Sequence, residues 1–216
     1  MLQLMIKDLY IQKKSAYFAP LLLLGFFLSK QKEVSMGNAS IENVVFGLSV
    51  GFIAYFMTMY SNFNTGESER LQNRLILSLP VSRWEVIQAK YLMIAVWWVI
   101  SYITYFILIF LLNYVFNLLP QLSIGLHGTL LSFCFAYLLS SVFYPIHFKF
   151  GYRTSSLVGI LLFFLITSSL GKLLGTNSGI SIVLQNHPIL SIAIVSLAVS
   201  SLSYFLSGKI FAKTDF

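Results

Sequence analysis

The sequence predicts an all-α integral membrane domain. Six transmembrane helices are expected, with an amphipathic interfacial helix ahead of the first and a cytoplasmic helical element between the second and third. Three observations lead there. The 216 residues are 57% hydrophobic and only 10% charged, with a mean hydropathy of +0.82, which is more apolar surface than a soluble core of this length could hide. Apolar runs of about spanning length recur along the whole chain. The longest polar interruption, residues 62–90, carries three of the seven acidic and four of the fourteen basic residues and therefore belongs in water. A single membrane domain accounts for residues 1–216.

In residues 1–14, Leu2, Met5, Ile6 and Leu9 share one helical stripe, while Gln3, Lys7 and Lys14 group elsewhere; Leu4 and Ile11 fall outside the stripe. The pattern predicts a helix lying on the cytoplasmic leaflet, with its lysines near anionic lipid. The first span, residues 15–29, rises only about 22 Å, short of the roughly 30 Å hydrocarbon core. Pro20 near its start kinks the join to the surface helix. Spans are then expected at 41–61, 91–116, 123–144, 155–174 and 188–211, with 175–187 a polar stretch whose Ile180, Ile182, Val183 and Leu184 could dip into the outer interface.

Within the polar interruption, Leu71, Leu75 and Leu79 recur every four residues opposite Arg70, Gln72, Asn73 and Arg74, which predicts a short amphipathic helix over 67–79. Pro80 ends it. Ser82 and Glu85 have the spacing of a capping box, and Val81 can pack on Val86 as a hydrophobic staple, so a second helix starts at about Arg83 and runs on into the third span. The result is a helix, a sharp break and a firmly capped second helix.

Six spans place both termini on one side. Lys7, Lys13, Lys14, Arg70, Arg74, Arg83, Lys90, Lys149, Arg153, Lys209 and Lys213 fall on that side, against Lys30, Lys32 and Lys172 opposite. The excess of cations marks the termini, the 62–90 stretch and the short loop around Lys149 as cytoplasmic. The same clustering explains the net charge of +7 by topology rather than by nucleic acid.

Chemistry is constrained by what the chain lacks. All seven carboxylates fall in a loop, a terminus or a span boundary, so the intramembrane acids that ion-coupled transporters use are missing. No phosphate-binding loop, zinc-protease or serine-hydrolase signature occurs. His127, His147 and His187 lie at three different levels, which is no metal site, and the single cysteine, Cys134, lies in an apolar run as a packing residue. Two patterns stay open. Gly47 and Gly51 form a GxxxG pair that serves either a seam between two copies or a neighbouring helix of the same chain. Ser196, Ser200, Ser203 and Ser207 run along one face of the sixth span, as a packing face or as a mildly polar pathway wall.

At this point a family resemblance emerges. Glu69-Arg70, the run Leu-Ser-Leu-Pro-Val-Ser-Arg at 77–83 and Ala89-Lys90-Tyr91 resemble the first cytoplasmic loop of type-2 ABC transporter permeases. Pro-Ile-His-Phe-Lys-Phe-Gly-Tyr at 145–152 is similar to the second cytoplasmic loop of their small bacterial members, and Ile-Lys-Asp-Leu at 6–9 also fits. The resemblance implies a permease subunit of an ATP-driven exporter in the plasma membrane, working as a homodimer or paralogous heterodimer. It implies no catalysis by this chain, with ATP and Mg held by a separate ABC ATP-binding subunit. Glu69, Arg70, Arg74, Pro80, Val81, Ser82 and Arg83 would face that ATPase as a coupling helix, and Pro145, Lys149, Gly151 and Arg153 would form the second cytoplasmic loop. Large extracellular domains are absent, and small members often export antimicrobial or toxin peptides, so an amphipathic peptide or lipid-like cargo is expected. A non-transporting immunity or binding factor and a membrane enzyme acting on lipid or peptide are the alternatives.

Overall fold

The computed structural model describes residues 2–12, 16, 39–63, 82–116, 125–175 and 188–213, and the regular structure among them is helical. We label the helices α1 (Leu2–Ile11), α2 (Ala39–Ser61), α3 (Arg83–Phe116), α4 (Leu126–Phe150), α5 (Tyr152–Gly175) and α6 (Pro188–Lys213). The expected first span, the amphipathic helix at 67–79 and the stretch 176–187 lie outside the described residues. Among the described residues, three helices are long and apolar enough to cross a membrane, within Arg83–Leu111, Leu126–Phe150 and Leu190–Lys213; Val45–Ser61 and Tyr152–Ser168 are shorter apolar stretches.

The central helix is α4, which packs against α2, α3, α5 and α6. Lipid is as apolar as leucine, so close packing, rather than escape from water, must hold such helices together, and small residues set where they meet. Gly47 and Gly51 provide that approach between α2 and α4. A Cβ on Gly47 would lie 3.2 Å from the Leu131 Cβ, and one on Gly51 would lie 2.8 Å from the Phe135 Cβ. The GxxxG pair is therefore a seam within the chain. Gly128 meets Asn43 and Phe46 in the same way, and Gly159 of α5 leaves room for the Tyr55 ring, whose hydroxyl donates to the Ser156 carbonyl at 3.2 Å. Around these contacts aromatic rings fill the interior: Phe52 stacks on Phe163 at 4.0 Å, Phe46 meets Tyr105 edge-on at 5.1 Å, and Trp97 is fully buried. Cys134 is likewise buried, packed with Leu48, Leu131, Phe135 and Ile192.

One expectation is corrected here. Residues 145–153 do not form a loop: α4 continues to Phe150, and Gly151 alone separates it from α5. Gly151 sits at φ 82°, a left-handed conformation that a residue with a Cβ adopts only under strain, and its N–H donates to the His147 carbonyl at 2.9 Å. Pro145 lies inside α4, where it has no N–H to give the Ser141 carbonyl one turn back. Ser203 of α6 donates its hydroxyl to that carbonyl. A side chain from a neighbouring helix thus satisfies the group that proline frees, which is how an apolar bundle tolerates a proline without breaking.

Candidate functional site at the start of α3

The start of α3 is fixed by its cap. The Ser82 N–H donates to Glu85 Oε2 at 2.8 Å, and the Glu85 N–H donates to Ser82 Oγ at 3.2 Å, a reciprocal capping box that begins the helix at Arg83. Over the next two turns, three other helices are tied to this segment.

The first tie is an ion pair. Lys90 Nζ donates to Asp8 Oδ2 at 2.7 Å, with both side chains buried. Asp8 also lies 3.7 Å from Lys7, whose ammonium is held below its ordinary pKa, first by burial and then by the Lys90 charge, with Asp8 opposing. This pair fixes which side of α1 turns toward the bundle. Among its described side chains Leu4 and Asp8, one turn apart, are buried, whereas Ile6, Leu9, Tyr10 and Ile11 are exposed. An acid on the buried face wins because its partner is a cation 82 residues away, which no local periodicity reveals. Gln12 adds a second link, from Nε2 to the Met57 carbonyl at 3.3 Å.

The second tie runs to α4, where the Tyr144 hydroxyl donates to the Lys90 carbonyl at 3.0 Å. The third runs to α6. Arg83 Nη1 donates to the carbonyls of Phe211 at 3.2 Å and Ala212 at 2.5 Å, where the last turn of a helix leaves acceptors unpaired. The Trp84 ring lies over Gly208, where a Cβ would come within 2.2 Å of it. The Tyr91 hydroxyl bonds the Ser203 and Ser207 hydroxyls at 2.5 and 3.1 Å. The ends of α2 and α5 join the same level, with Phe63 edge-on to Tyr152 at 4.7 Å.

The expected site residues therefore divide. Ser82 and Arg83 stand at this junction, while Glu69, Arg70, Arg74, Pro80 and Val81 lie outside the described residues. Pro145 is interior to α4. Lys149 is exposed, with its Nζ 5.0 Å from the centre of the Phe150 ring, and Arg153 is exposed on the first turn of α5. Along the serine row, Ser196, Ser203 and Ser207 are buried. Ser196 and Ser200 bond the carbonyls of their own helix at Ala193 and Leu197, and Ser203 and Ser207 bond across to Tyr91. Among the described residues, no group of three His, Cys, Asp or Glu side chains could hold a metal ion. Sequence reasoning named Asp8 and Tyr91 within motifs without their contacts and passed over Tyr144. The one signal available was a lone acid in an N-terminal helix and a lysine at the edge of a span.

An apolar helical bundle in which, among the described residues, three helices are long and apolar enough to cross a bilayer is a membrane-embedded protein. More narrowly, the chain belongs to the ABC-2 family: the model described as ABC-2 family transporter protein matches residues 3–212. No curated protein and no solved structure matches it. Membership makes the chain the membrane component of an ABC transporter and implies, in general, a partner ATP-binding subunit.

Proposed function

We propose that the chain is the permease subunit of an ATP-driven exporter. It spans the plasma membrane six times with both termini in the cytoplasm, and it works as a pair of permease copies on a separate ATPase. The observation that carries this reading is the junction at Arg83–Tyr91. The polar stretch 64–81 leads directly into the capped start of α3, and α1, α4 and α6 are all bonded to the next two turns. A push on residues 67–83 would reach three other helices through those bonds. In this reading Glu69, Arg70, Arg74 and Pro80 to Ser82 contact the ATPase, which holds ATP and Mg, whereas Arg83, expected to face it as well, is turned to the end of α6. The exposed Ile6, Leu9, Tyr10 and Ile11 keep α1 against the membrane surface.

The cargo we infer is an amphipathic peptide or a lipid-like molecule. Asp8, paired with Lys90, and Glu85, in its cap, both sit at the junction end of the bundle, and Glu42 stands in the first turn of α2 at the other end, so the described carboxylates offer no cage for an ion at mid-membrane. Such a cargo already partitions into the bilayer and can enter sideways between two copies. The test is reconstitution with the ATP-binding subunit. Amphipathic helical peptides should stimulate ATP hydrolysis more than sugars or inorganic ions do, and Arg70→Glu with Arg74→Glu should weaken association while leaving the helices inserted. Stimulation by a small hydrophilic solute alone would overturn the cargo assignment. Normal assembly and turnover of the charge-reversed protein would move the contact elsewhere.

A further inference from the structure

We propose that the start of α3 and the end of α6 are riveted into one unit, so that displacement of the capped turn is delivered to α6 and, through Ser203, to α4. The inference rests on the ATP-driven reading above and deepens it by assigning Arg83, Tyr91, Ser203 and Ser207 as positioning residues. Three kinds of contact coincide within two turns. The Arg83 guanidinium holds the Phe211 and Ala212 carbonyls, the Trp84 ring fills the space above Gly208, and the Tyr91 hydroxyl joins Ser203 and Ser207.

The tie is directional as well as strong. Hydrogen bonds weaken steeply with angle, so two hydroxyl bonds and a guanidinium cap resist both sliding and rotation, which apolar packing in lipid resists less well. Ser203 then passes the connection on to the Ser141 carbonyl that Pro145 leaves free, so one hydroxyl chain crosses α3, α6 and α4. Away from this end, the two helices present exposed apolar side chains, Phe106 and Phe110 on α3 and Ile194 and Leu197 on α6. Ser203 and Ser207, two of the four serines that could line a pathway by their spacing, thereby act as a mechanical tie.

The experiment uses the full complex with its ATP-binding subunit in lipid nanodiscs. Spin labels are placed at Gln88 on α3 and Lys209 on α6, both exposed. The distance between them is measured without nucleotide and with magnesium and a non-hydrolysable ATP analogue. In the wild-type background the distance should stay fixed. With Arg83→Gln and Tyr91→Phe combined, nucleotide should shift it by roughly 2 Å or more, the scale of helix shifts in switching proteins. Arg83→Lys in place of Gln should restore part of the wild-type behaviour. If the combined variant does not assemble, Tyr91→Phe alone, which keeps the ring, should broaden the distance distribution on nucleotide binding. A wild-type distance that shifts with nucleotide, or a variant that stays as fixed as the wild type, overturns the rivet. Failure of the wild-type chain to associate with any ATP-binding subunit overturns the ATP-driven reading itself, and the two failures are told apart by whether the complex forms.

Discussion

Replacing Asp8 by alanine should free α1 from the bundle. Asp8 and Lys90 are 2.7 Å apart with both side chains buried, so removing the carboxylate leaves an ammonium in a dry site. Breaking a buried pair in this way costs about 3–5 kcal/mol, or about two to nearly four decades in an equilibrium constant. The loss is local rather than global, because among the described side chains of α1 only Leu4 and Asp8 are buried, Met5 and Lys7 are half-buried and Ile6, Leu9, Tyr10 and Ile11 are already exposed. A cysteine at Leu4 reports undocking through its rate of reaction with a thiol reagent, and the native Cys134, buried in α4, contributes little background. Asp8→Ala should raise the Leu4→Cys labelling rate by at least about tenfold, up to the ceiling set by a fully undocked helix. Asp8→Asn combined with Lys90→Met removes both charges at similar size and should return the rate close to that of the wild-type background, since neutral replacement of a whole pair is often harmless. Equal labelling of the wild type and Asp8→Ala, or a double variant as reactive as the single one, would show that the pair does not hold α1.

Three further predictions follow from particular contacts. Ser82→Ala removes the acceptor for the Glu85 N–H and should destabilise the start of α3 by about 1 kcal/mol, read as faster amide exchange over the first turn, while Ser82→Asp should not. Gly51→Val places side-chain carbon where a Cβ already comes within 2.8 Å of Phe135, so α2 and α4 must separate; a fall in thermal stability worth about 1–3 kcal/mol is expected, and a stable variant would mean that the seam is loose. Cysteines replacing the exposed Lys149 and Arg153 should resist membrane-impermeant reagents in intact cells and react in inverted vesicles, as the cation asymmetry requires.

What the sequence could and could not disclose follows from the range of each interaction. The start of α3 was legible because a capping box spans three residues, and the structure begins that helix at Arg83. Helix α2 was legible within two residues, and α6 began where expected, at Pro188, because apolar length alone defines such elements. The end of α4 was misread, since Pro145 is a breaker by local rules and only Ser203, 58 residues further on, repairs the bond it removes. The glycine pair announced close packing but not its partner, which is Leu131 and Phe135 of α4. What α1 docks on was hidden for a related reason. Its apolar stripe suits a membrane surface, and Ile6 and Leu9 of that stripe are exposed, whereas the side that turns inward is decided by a single acid with a distant lysine.

The single residue between α4 and α5 limits how these helices can part. A chain reaches at most about 3.6 Å per residue, so Phe150 and Tyr152 stay within roughly 7 Å of each other in every state of the protein. Any separation of α4 from α5 must therefore open like tongs, least at Gly151 and most at the opposite ends, near Leu126 and Gly175. The cleft such a movement makes is wedge-shaped and faces away from the junction at the start of α3.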